Sequence, residues 1–137
     1  MPIPDSDYLQ ADATALAAAI RAGRLTPAEA VAQAFAAIDR VNPQLNAVIL
    51  TMRDEAEAQL RELPANAPLR GVPVLLKDDC PTYAGTPMSF GCRAAVGYTP
   101  SHDHELVRRY KAAGLVIVGK ANPVSYTHLR AHETGRN

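Results

Sequence analysis

"LRGVPVLLKDD" occupies residues 69–79. Residues 72–76 within it form a continuous apolar run, too short for a helix and bounded by Gly71 on one side and by charge on the other. Such a run reads as a strand buried on both faces, not one that alternates between core and water. A second run of the same kind, "LVIVGKAN", occupies residues 115–122. Between the two lies an irregular stretch, residues 78–102, rich in Gly, Pro, Thr and Ser. A helix then carries Leu106, Tyr110 and Ala113, with Asp103 expected as its N-cap and Gly114 as its stop. Strand, helix, strand reads as a right-handed parallel crossover, which makes the fold class α/β. Irregular segments as long as residues 78–102 are uncommon unless they carry function. This one begins at the carboxyl end of a parallel strand, where open α/β sheets place their ligands.

Upstream, Leu9, Ala13, Leu16, Ala17 and Ile20 recur at helical spacing, so residues 8–22 read as one helix stopped by Gly23. "LTPAEAVAQAFAAIDRVNP", residues 25–43, is the clearest helix. Thr26 suits the N-cap, Pro27 the first helical position, and Glu29 completes a capping box. Val31, Phe35 and Ile38 form its apolar stripe, and Asn42-Pro43 is expected to end it. "LNAVIL", residues 45–50, reads as a short strand, and Met52, Ala56, Leu60 and Leu63 mark a third helix. "LPANAPLRG", residues 63–71, is a loop by composition. No internal repeat is apparent.

The 137 residues suffice for one domain with a modest core, and 47% apolar with 20% charged residues is ordinary for a globular protein. A formal net charge of +0 argues against a nucleic-acid or anionic-membrane binder. With no Trp and only Phe35 and Phe90 as phenylalanines, a base-stacking platform is not expected either. Cys80 and Cys92 make no disulfide framework and fit no common zinc spacing, so they read as reduced thiols. The start, "MPIPDSDYLQ", carries acid where a signal peptide needs base, and no apolar run is long enough to span a bilayer. A cytoplasmic location is expected.

Few residues offer chemistry. Lys77 directly follows the apolar run. It is either a charge where a strand emerges into water, or a lysine held against apolar walls whose neutral amine accepts a proton. Asp78 and Asp79 work against the second reading, because carboxylates favour the ammonium form. Pattern alone leaves both open. His102 and His104 read as a solvated helix terminus more than as ligands. Ser89, in "PMSFG", lacks the first glycine of a nucleophile elbow. Cys80, with no glutamate in a suitable strand context, reads as a small core thiol. His128 and His132, spaced i, i+4 with Glu133 beside them, have the spacing of a zinc site, but such a pair needs further ligands.

The segment containing Gly71, Pro73 and the Lys77-Asp78 pair resembles the Gly-x-Pro-x-x-x-Lys-Asp segment of the amidase signature family. The likeness continues through "YAGTPMSFGCRA" and "HDHELVRRYKAAGLVIVGKAN", and upstream into "LTPAEAVAQAFAAIDRVNPQLNAVI". It covers roughly residues 8 to 122, in order and without a gap, and is strongest to bacterial amidases of small or linear amides. Cyclic-amide hydrolases and the transamidosome glutaminase subunit share these segments. The resemblance implies amino-terminal helices and the first strands of a mixed sheet. It also implies a Ser-Ser-Lys mechanism acting on a small-molecule amide, with no cofactor and no metal. Lys77 would then be general base and acid, a bridging serine would relay the proton, and a second serine would attack the carbonyl and form an acyl-enzyme. A desolvated lysine can supply the base that a hydroxyl nucleophile needs at neutral pH.

The sequence also departs from the family. The Gly/Ser-rich stretch that carries both serines and the oxyanion-hole amides is absent; the serines here are Ser6, Ser89, Ser101 and Ser125. The chain therefore resembles the amino-terminal portion of a longer amidase. After residue 122 apolar periodicity vanishes, and "PVSYTHLRAHETGRN" resembles the conceptual translation of a sequencing adapter. The expected division is residues 1–122 as amidase sequence and 123–137 as a foreign tail, which disfavours metal binding by His128 and His132. The chain alone is expected to be inactive and to fold poorly. The alternative is a non-catalytic binding or interaction module that keeps an amidase-like amino terminus. The sequence leaves the oligomeric state open.

Overall fold

The computed structural model describes the backbone of residues 5–123 and the side chains of residues 8–123. Helices α1 (Asp5–Gln10), α2 (Ala13–Arg21) and α3 (Pro27–Leu45) lead into strand β1 (Val48–Thr51) and helix α4 (Arg53–Arg61). Strand β2 (Pro73–Lys77), a long loop with one 3₁₀ turn (Arg93–Ala95), helix α5 (Glu105–Ala112) and strand β3 (Val116–Ala121) complete the order. The sheet runs β1-β3-β2, with β2 parallel to β3 and β1 antiparallel to it. The fold is α/β with a mixed sheet, and β2-α5-β3 is the crossover expected from the two apolar runs.

Local signals account for the helix starts. Thr26 accepts from the Glu29 amide at 3.2 Å while the Glu29 carboxylate takes the Thr26 amide at 2.8 Å, so two orphan donors of α3 are satisfied reciprocally. Three expectations need correction. Residues 8–22 are two helices, because Asp12 breaks the run and caps α2 by accepting from the Ala15 amide at 2.7 Å. Helix α3 passes through Pro43 and stops only at Asn46, which takes the left-handed conformation at φ 47. Near a helix end the missing Pro43 amide costs a single bond, and the Asn42 side chain pairs with both backbone groups of Val48, at 2.8 Å each, tying the helix end to β1. Helix α5 is capped by His104, whose Nδ1 accepts from the Leu106 amide, and not by Asp103.

The two apolar strands also differ from each other. Central β3 is buried on both faces, with Val116, Ile117 and Val118 almost fully enclosed. β2 is not: among the described residues it has a strand on one side only, and Leu75 is 38% exposed. Val116 and Val118 pack with Val31, Phe35 and Ala56 of α3 and α4, while Ile117 packs with Met52, Leu76 and Val107 on the other side. Gly119 sits where β1 crosses closest; a Cβ there would lie 2.5 Å from the Leu50 carbonyl oxygen. Gly71 has φ 83, and a Cβ on it would meet Pro27 at 2.6 Å, so the turn into β2 needs glycine for conformation and for space.

Candidate active site

Because β2 and β3 are parallel, their carboxyl ends emerge together, with Leu76 opposite Lys120 and Lys77 opposite Ala121. The Asp78 amide extends this ladder by donating to the Ala121 carbonyl at 3.1 Å. Successive residues then diverge by strand alternation. Lys77 points out, with 47% of its side chain exposed, and pairs with Asp79 at 3.0 Å. It is not enclosed by apolar walls within the described residues.

Asp78 points in and is 2% exposed. Its Oδ2 accepts from the Ser89 amide at 3.0 Å and from the Ser89 hydroxyl at 2.7 Å. Ser89 is thus bound to a buried carboxylate, and its hydroxyl also accepts from the Gly91 amide. Facing Asp78 Oδ1 at 3.9 Å is the ammonium of Lys120, itself 1% exposed. Lys120 donates to the carbonyls of Pro87 and Thr86. Burial pushes the Lys120 pKa down, and the Asp78 carboxylate opposes that shift. An open depression of about 210 Å³ lies beside this cluster, between Ile49 and Leu50 of β1 and Met88 and Val96 of the loop.

The irregular stretch 78–102 keeps its form by such clamps. Asp103 accepts from the Ala84 amide at 2.8 Å and from Lys111 at 2.6 Å, and the Lys111 ammonium lies 4.0 Å from the centre of the Tyr83 ring. Burial alone would raise the Asp103 pKa, but the Lys111 and Ala84 hydrogen bonds outweigh it and hold the carboxyl below its ordinary value. Cys80 is exposed, not a core thiol, because it follows the strand end into the loop; Cys92 is exposed as well, and both are free. His102 is exposed beside Ser101, and His104 serves the cap. Among the described residues no three His, Cys, Asp or Glu side chains gather as a metal site, and no helix is long and apolar enough to cross a membrane. His128, His132 and Glu133 lie outside the described residues.

Sequence reasoning missed Lys120. The signal was present, since a lysine inside a run of fully buried apolar residues must find partners or neutralise. What it lacked was the partners, which come from the segment that follows β2.

The profile of the family described as Amidase matches residues 29–131. The chain belongs to the amidase family. It is 39% identical over 114 residues to the 6-aminohexanoate-cyclic-dimer hydrolase of Pseudomonas sp. (strain NK87), covering 81% of this chain and 22% of that protein. Putative amidase AmiA2 of Mycobacterium tuberculosis (strain ATCC 25618 / H37Rv) is 44% identical over 104 residues, 72% of this chain and 21% of its own length. A glutamyl-tRNA(Gln) amidotransferase subunit from Maridesulfovibrio salexigens is 34% identical over 122 residues, 85% of this chain and 25% of its own length. Among solved structures, 6-aminohexanoate cyclic dimer hydrolase complexed with substrate superposes with a TM-score of 0.76 at 35% identity, over 85% of this chain and 24% of that one. This amidase chain thus spans about a quarter of the length of the relatives it matches, and its α/β architecture is theirs over that part. The matched range reaches into the stretch that begins at residue 123.

Proposed function

We propose that this chain supplies the lysine end of a Ser-Ser-Lys amidase, which hydrolyses a small carboxylic amide to the acid and ammonia or an amine. In this reading Lys77 is general base and acid, and the two serines and the oxyanion donors come from sequence beyond residues 1–122, so the chain alone is inactive. In this reading residues 123–137 are a foreign tail, although the family match runs on to residue 131. The observation that carries the reading is Lys77 itself. It stands at the carboxyl end of a parallel strand in the family-matched segment, with its backbone paired to Ala121 and its half-exposed side chain on the outer face beside Asp79. The amine of such a lysine, once covered and desolvated by the rest of the protein, takes the hydroxyl proton as attack begins and returns it to the leaving nitrogen.

The test is Lys77→Ala in the full-length protein that carries this segment. Loss of a base coupled to a nucleophile costs orders of magnitude in kcat/KM, about 10²–10⁴-fold for the proton transfer alone. Near-normal turnover by a folded variant would refute the assignment. The similarity to a glutamyl-tRNA(Gln) amidotransferase component favours one second reading, a glutaminase half of a larger assembly. Ammonia release from glutamine, but not from simple amides, would select it.

A further inference from the structure

A depression of about 370 Å³ lies between α2 and the loop that leads into β2. Ala17, Ile20 and Arg21 line it from the helix, and Asn66, Pro68 and Arg70 from the loop. Two of these are cations, and among the described residues no carboxylate lines it. The Arg70 side chain is half-buried, and its Nε is enclosed with no hydrogen-bond acceptor among the described residues. A buried guanidinium donor left in that state costs free energy unless something supplies the acceptor. Arg21 commits one donor, from Nη2 to the Pro68 carbonyl at 3.2 Å, which ties α2 to the loop. Neither arginine pairs with a carboxylate among the described residues. The depression is also preformed. The Leu69 amide donates to the Ala113 carbonyl at 2.9 Å and the Gly71 amide to the Gly114 carbonyl at 2.7 Å, so the Arg70 backbone is held from both sides. The approach is so close that a Cβ on Gly114 would lie 2.7 Å from the Arg70 Cα. Carbonyls near the end of α2, which would repel an anion, are taken up: Ala18, Ala19 and Ile20 accept from the amides of Ala22, Arg24 and Gly23.

We propose that this depression is an oxyanion site, in which the guanidinium groups of Arg21 and Arg70 bind a small phosphate or carboxylate group. A planar fork of several donors matches two oxygens of one anion, and the contact is charge-assisted on both sides. Holding the fork on a pinned loop reduces the freedom lost on binding, and partial burial limits screening by salt. Arg70 precedes the amino end of β2 whereas Lys77 closes its carboxyl end, so the site is separate from the candidate active site and does not depend on the reading of Lys77.

The experiment is isothermal titration of the full-length protein with inorganic phosphate and, separately, with acetate, at constant chloride. Saturable binding of either anion at one site is expected, and which of them binds tells phosphate from carboxylate chemistry. Arg70→Gln should weaken that binding about tenfold or more, because it removes a charged fork, and Arg21→Gln should weaken it severalfold. Arg24→Gln, which removes the same charge from an exposed arginine outside the lining, should leave it unchanged. Binding of neither anion, a signal that does not saturate, or equal affinity in the parent and Arg70→Gln overturns the proposal. An equal loss in Arg24→Gln overturns it too, since net charge and not a site would then hold the anion. If Arg70→Gln fails to fold, Arg21→Gln decides: weakened binding with Arg24→Gln unchanged supports the site, and unchanged binding overturns it.

Discussion

Gln59 of α4 takes a place in the sheet that a strand would otherwise fill. β1 pairs with β3 only from Gly119 onward, so among the described residues Ile117 has no strand on that side. Gln59 Oε1 accepts from the Ile117 amide at 3.0 Å, and its Nε2 donates to the Ile117 carbonyl at 3.2 Å. The side-chain amide thus stands in for a peptide group and fixes α4 to the central strand. Gln59→Met keeps the length of the side chain and removes both bonds, leaving a donor and an acceptor buried without partners. Each such group costs about 1–3 kcal/mol, and the apolar methionine recovers part of it, so a net loss of about 2 kcal/mol or more is expected. The assay is amide hydrogen exchange of the full-length protein, read at Val116, whose amide bonds to the Val72 carbonyl at 2.9 Å and is untouched by the change. A loss of about 2 kcal/mol makes exchange there roughly 30-fold faster. Gln59→Glu separates the two bonds. Its carboxylate can take the Ile117 amide but repels the carbonyl, whereas the protonated acid can serve both. The folded-state pKa of that glutamate is therefore raised, and the variant's stability, present below its unfolded value of about 4.3, should fall as pH rises through the folded value. Val116 exchange in Gln59→Met within twofold of the parent would refute the reasoning, as would a pH-independent Gln59→Glu.

Gly119→Ala should destabilise the β1–β3 pairing by about 1–3 kcal/mol, because the new Cβ meets backbone at 2.5 Å and not a yielding side chain; a melting temperature unchanged from the parent would contradict this. The Asp103 carboxyl, held below its ordinary value chiefly by Lys111 against the cost of burial, contributes stability that is present above its unfolded value of about 3.9 and lost as pH falls through the folded value. Asp103→Asn should remove that acid-side loss, measured as the difference between the two proteins' melting temperatures across roughly pH 2–6, a range set about that value. Residues 1–137 expressed alone should release no ammonia from simple amides and should unfold without a sharp transition, since among the described residues β1 and β2 are both sheet edges and Ile49, Leu75, Phe90 and Val96 stand exposed. Cooperative unfolding, read by circular dichroism, would contradict the second part.

What could be read from the sequence was what lies within a few residues. The Thr26–Glu29 box is an i, i+3 exchange, Gly114 a single-residue stop, and the apolar runs of β2 and β3 are contiguous, so each was legible without neighbours. Helix boundaries at Asp12 and Asn46 were missed although their residue types were right, because a cap competes with an equally helical stretch on either side and a small energy decides. The motif around Lys77 was recognisable for the same local reason. The rest depended on which chain segments meet. Two similar apolar runs became a central strand and an edge strand only when β1, a run of four residues, added itself antiparallel to one of them. That choice left Leu75 exposed, drew Gln59 to the bare side of Ile117, and enclosed Lys120 against Asp78. Burial of a charge is a property of its surroundings and not of its neighbours in sequence, so the exposed lysine of the motif was visible in the chain and the buried one behind it was decided by the tertiary fold.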